Sequence, residues 1–137
     1  MKKSIGVGLG LALLLAALAG PAAADAPAVI PFELAFDDLN VCTGNIVTVT
    51  MQGAFVIHEH DGRSVVRLPR TIKTSDGFEG RGDATEVVNG RIATFTLNDM
   101  LAHESGDRFR AHYIFVLDMA TSTVRVEKGG VQICLGP

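Results

Sequence analysis

IVTVTMQGAFVIHEHDGRSVVRL, residues 46–68, decides the fold. Val47, Val49, Met51, Phe55 and Ile57 occupy alternate positions, and Thr48, Thr50, Gln52, His58 and His60 fall between them. A period of two marks a strand with one face buried and the other in water. Gly53 allows a kink midway along it. Asp61-Gly62 then supplies a two-residue type I′ turn, whose twist matches that of the flanking strands. With that turn, Val66 faces Ile57 and Leu68 faces Phe55 on the return strand.

The same grammar continues along the chain. Asp76-Gly77, Asn89-Gly90 and Gly129-Gly130 repeat the punctuation between apolar runs, and Pro69, without a ladder donor, marks a bulge or an edge. Strands are expected over 70–74, 78–88, 92–97, 109–117, 123–127 and 131–135, with a weaker one over 32–38. A two-residue turn at Asp76-Gly77 puts Arg70 opposite Asp83, and one at Asn89-Gly90 puts Ala84 opposite Phe95 and Gly82 opposite Leu97. NDMLAHESGD, residues 98–107, breaks the alternation: Asn98 or Asp99 suits a helix cap and Gly106 a helix end, so one short helical turn is expected there. The chain therefore reads as all-β, an antiparallel up-and-down barrel of seven or eight strands with one short helical turn. A β-sandwich is the alternative.

Ahead of the domain lies MKKSIGVGLGLALLLAALAGPAAADAP. Its positive start, short apolar run and small residues before Asp25 are those of a secretory signal peptide cleaved near Ala24. The run is too short to cross a bilayer, which needs about 20 apolar residues. The division is then a signal peptide over 1–24, a short tether over 25–31 and a single β-domain over 32–137, secreted or periplasmic. The chain carries 12 Lys+Arg against 15 Asp+Glu, a net charge of −3. Loss of Lys2 and Lys3 with the leader makes it more acidic. The charges are interspersed, which argues against a nucleic acid or an anionic membrane surface as partner. The two cysteines, Cys42 and Cys134, near the ends of an exported domain, are expected to form a disulfide.

Candidate chemistry is sparse. His58 and His60, at i and i+2 on one strand face, are two metal ligands in search of a third, with Asp61 at the turn as the nearest carboxylate and zinc or copper as the metal. The bland reading is a polar outer face, because that face carries Thr48, Thr50 and Gln52. His103 is a lone general-base candidate. The serines lie in turns, the carboxylates are solvated pairs, and no nucleotide-binding fingerprint is present. No catalytic residue and no cofactor is assigned. Gly80 and Gly82 thin one wall of the interior; either Phe95 and Leu97 fill the gap, or a ligand pocket opens there with Phe95 and with Tyr113, whose hydroxyl needs a partner.

Val41-Cys42-Thr43-Gly44-Asn45, the Val/Thr-rich strand behind it, the Gly-rich GFEGRGDAT and the cysteine in the last strand together resemble a group of uncharacterised small secreted bacterial β-proteins that begin with a Cys-Thr-Gly motif, usually PCTGE. The resemblance implies an exported β-domain with a terminal disulfide and carries no functional residue. Three functions follow from the sequence. The first is a non-enzymatic binding module for a small apolar ligand or a protein surface. The second is a metal-binding protein or small metal-dependent hydrolase using His58 and His60. The third is a structural, envelope-associated protein.

Overall fold

The computed structural model describes residues 26–137. The leader and its cleavage site lie outside the described residues. Eight strands follow one another with no helix among the described residues: β1 (Ala28–Asn40), β2 (Asn45–His60), β3 (Arg63–Arg67), β4 (Arg70–Thr74), β5 (Glu79–Asn89), β6 (Ile92–Ala102), β7 (Arg108–Asp118) and β8 (Thr123–Leu135). Every strand pairs antiparallel with its neighbours. No helix among the described residues is long and apolar enough to cross a membrane.

β3 and β4 are two halves of one line. Both lie between β2 and β5, and the pairs Val56–Arg67 and Gly53–Arg70 share one register. Pro69 interrupts the ladder where its missing N–H would have bonded, while Leu68 and Ala84 still exchange backbone hydrogen bonds. The sheet is thus an up-and-down meander of seven lines. It rolls so that its apolar face closes on itself: Phe32 of β1 and Phe95 and Leu97 of β6 pack against one buried cluster, and Phe109 of β7 packs against a second that holds Val47 and Val49 of β2. Among the described residues β1 pairs only with β2 and β8 only with β7, so the two edges meet without a ladder.

A covalent bond joins them. Cys42, in the β1–β2 turn, and Cys134, in β8, form a disulfide across 92 residues of chain, with Cα atoms 5.0 Å apart. The Cys-Thr-Gly stretch is therefore a turn rather than a strand start: Gly44 N–H donates to the Asn40 carbonyl, and Cys42 N–H to Asn40 Oδ1.

Several expectations change. The Asp61-Gly62 turn is as expected, with both residues at positive φ (48° and 74°). Residues 28–31, read as tether, begin β1. The helical turn over 98–107 is absent: β6 runs straight through Asn98–Ala102, and only residues 103–107 turn, with His103 N–H donating to the Asp107 carbonyl. The Gly129-Gly130 hairpin is also absent. Those glycines form an irregularity inside the single strand β8, and the last hairpin turns between Asp118 and Thr123. The turn near Asp76 has three residues, Ser75–Gly77, not two; Thr74 N–H donates to the Phe78 carbonyl. That one-residue slip places Arg70 opposite Gly82 instead of Asp83 and moves its side chain to the inner face. Asp83 meets Arg67 at 3.4 Å in an exposed ion pair. At Asn89-Gly90 the slip is two residues, so Ala84 faces Leu97 and Gly82 faces Asp99, with the inner face unchanged.

Replacing Cys42 and Cys134 by Ser frees a loop of this length, for which chain entropy gives about 4 kcal/mol. The loss is expected as a lower urea midpoint, with the largest change in exchange protection along β1 and β8.

Candidate functional site

The register lines up one row across the inner face: Phe32, Gly53, Arg70, Gly82, Asp99, Ala111 and Gln132. Arg70 is buried, its side chain 4% exposed, and Asp99 is 9% exposed. They belong to strands separated by β5. Gly82 lies between them, and a Cβ there would overlap Asp99 Oδ1. The missing side chain is what lets the guanidinium reach across, donating from one terminal nitrogen to Asp99 Oδ1 at 2.5 Å. Its other terminal nitrogen donates to the Leu68 carbonyl at 3.3 Å, and its buried Nε–H has no acceptor among the described residues. Burial pushes the Asp99 carboxyl up from its ordinary value, and the charge and hydrogen bond of Arg70 offset only part of that rise.

This polar row separates two apolar clusters. Ile57, Val66, Leu68 and Ala84 lie on one side of it. Val47, Val49, Ile72, Phe78 and Leu101 lie on the other. Between them is a cavity of about 510 Å³, lined mainly by apolar side chains of β1, β2, β4, β6 and β7 together with Arg70, Asp99 and Gln132. Asp37, Asp38 and Leu39 also border it. Because those consecutive β1 residues point to both faces of an edge strand, the cavity reaches the β1 edge, which no ladder joins to β8.

The residues singled out from the sequence fall as follows. Phe95 lines the cavity; Gly80, Gly82 and Tyr113 are not in its lining. Gly82 makes room for Asp99, and a Cβ on Gly80 would overlap the Met100 carbonyl oxygen, so both glycines serve close approach of β6. Tyr113 sits opposite Leu97 on the inner face, but its ring stacks on Phe115 and its hydroxyl donates to Glu127 Oε1 at 3.1 Å. His58 and His60 are exposed on the outer face, and His60 Nε2 lies 3.0 Å from Asp61 Oδ2. His103 is held in its turn by Ser105 at 2.8 Å and lies over Phe78. Among the described residues no three His, Cys, Asp or Glu side chains gather closely enough to hold a metal ion.

Two further buried carboxylates stand apart from the cavity lining. Asp118 anchors the last hairpin: burial alone would raise its pKa, but the Ala120 N–H and the Arg91 and Arg125 guanidinium groups outweigh it and hold it below the usual range. Glu86 lies on the inner face between Val66 and Phe95, and burial raises its pKa above the ordinary 4.5. Comparison with protein-family models, with curated proteins and with solved structures gave no match.

Gly82→Ala is expected to force Asp99 away from Arg70 and to cost about 3 kcal/mol, the lower end for breaking a buried ion pair, read as a fall in the urea midpoint. Glu86 binds its proton more tightly folded than unfolded, so its contribution to stability is present below pH 4.5 and is lost as pH rises through its raised folded value. Glu86→Gln should remove that loss. Its midpoint should exceed that of the parent protein increasingly as pH is raised from 4.5 to 7.

Proposed function

We propose that the chain is an exported binding module whose rolled sheet holds a small apolar ligand. The observation that carries this reading is the cavity. A space of about 510 Å³ falls within the roughly 300–1,000 Å³ of small-molecule sites, and an apolar lining with a few placed polar groups is their usual make-up. Magnitude argues in the same direction. At about 24 cal/mol per Å³, a closed, dry void of 510 Å³ would cost on the order of 12 kcal/mol. That rivals the whole stability of a small domain, about 5–15 kcal/mol. A space of this size reaching the edge of the sheet is consistent with one that is filled and emptied.

Export is supported by the leader at residues 1–24 and by the disulfide, which persists in oxidising compartments such as the periplasm or the medium. A module with a preformed cavity and a covalent clasp suits capture or carriage of a ligand outside the reducing cytoplasm.

Diphenylhexatriene, a hydrocarbon that fluoresces in apolar surroundings, is expected to bind the mature protein in a saturable manner with one site. Ala111→Trp, which places an indole against the lining, should weaken that binding at least tenfold and leave the disulfide and the far-ultraviolet β signal intact. Fluorescence that stays at the buffer level with the parent protein would refute the reading.

A further inference from the structure

We propose that the cavity selects an uncharged amphiphile, a long-chain amide or alcohol, whose polar end docks on the Arg70–Asp99 pair while its chain lies between the two apolar clusters. The inference rests on the cavity being a ligand site.

Four observations converge on this class. The pair borders the cavity in the row between the two apolar clusters, so a polar end group, which the clusters cannot satisfy, finds its partner there. The pair is nearly closed from solvent and already neutral as a unit, with Arg70 and Asp99 in a 2.5 Å ion pair. A carboxylate or an ammonium arriving there would leave one net charge in a medium of low dielectric, the costliest arrangement available. The hydrogen-bonding capacity is also incomplete. Among the described residues Asp99 receives its one side-chain bond on Oδ1, which leaves Oδ2 as an acceptor facing the cavity. An amide or hydroxyl supplies the N–H or O–H that this carboxylate oxygen lacks. Finally, Asp38, on the inner face of β1 beside Val47, borders the cavity, and with Asp99 it sets two carboxylates against one guanidinium, which repels an anionic head. Sites built to satisfy buried polar groups reject analogues that leave them unpaired far more strongly than apolar walls reject a methylene.

The test is displacement of diphenylhexatriene from the oxidised mature protein at neutral pH by decanamide, decanol, decanoate and decylamine. Decanamide and decanol should displace it at concentrations at least tenfold below those of either ion. In Arg70→Met/Asp99→Leu, where an apolar pair of similar volume replaces the ions, diphenylhexatriene binding should persist and decanamide should lose at least tenfold in affinity. In Asp99→Asn the guanidinium is no longer neutralised, and decanoate should gain at least tenfold over its binding to the parent protein. Decanoate or decylamine competing as well as decanamide with the parent protein would overturn the assignment. So would a double variant that keeps diphenylhexatriene and the full decanamide affinity, or, if that variant does not fold, an Asp99→Asn protein with no gain for decanoate. Failure of diphenylhexatriene itself to bind the parent protein would remove the cavity reading beneath it, a result distinguishable because that probe has no polar end.

Discussion

An ion pair set into an apolar interior governs how this sheet closes. Arg70 and Asp99 face each other across Gly82, two strands apart, and neither could reach the other past a side chain on β5. Removing charges from water costs several kcal/mol per ion, and their attraction offsets that only where the geometry is good. Here the geometry is supplied by a glycine. The consequence for packing is direct. A row that would otherwise hold branched apolar side chains holds a guanidinium, a carboxylate and two glycines, so the apolar clusters on either side do not merge and space remains between them.

The second constraint is at the edges. A seven-line meander has two free strand edges, and unpaired edges are a liability that folds cover, shorten or charge. β1 and β8 are joined instead through the Cys42–Cys134 bond at one end. One covalent clasp leaves the rest of the β1 edge free of a ladder among the described residues, and Asp37, Asp38 and Leu39 of that strand border the cavity. Closure at this seam is thus by sulfur rather than by a ladder of hydrogen bonds.

These two features give the binding reading its chemistry. The apolar clusters supply area without direction, and the polar row supplies direction. His58 and His60, the most conspicuous reactive side chains in the sequence, stand on the opposite face of the sheet from both. Glu86 and Asp118 show the two fates of a buried carboxylate in one small domain. Asp118 is surrounded by donors and held charged. Glu86 is raised by burial.

Much of this was legible in the residues. Alternation is a local property, and from Val47 to Ile57, from Val66 to Leu68 and at Phe95 and Leu97 it assigned strands, inner faces and the hairpin at Asp61-Gly62 without any tertiary knowledge. The cysteine pairing followed from their number and placement. In the folded sheet Arg70 is in line with Leu68 and Ile72, and Asp99 with Leu97 and Leu101: two opposite charges, each inside an apolar stripe. In the sequence Asp99 suggested a helix cap instead, because a lone buried acid is implausible until its partner is known, and Arg70 had been set opposite Asp83 by counting two residues in a turn that has three. A one-residue slip exchanges the faces of an entire strand, and turn length depends on hydrogen bonds such as that from Thr74 to Phe78 that no local pattern specifies. Sequence alone determined most of the strands and the inner face of β2, since alternation depends on neighbours in the chain, and the clasp, since only two cysteines are present to pair. Tertiary structure alone decided the register, hence the ion pair across Gly82 and the cavity beside it, since those depend on residues that meet only when the sheet has rolled.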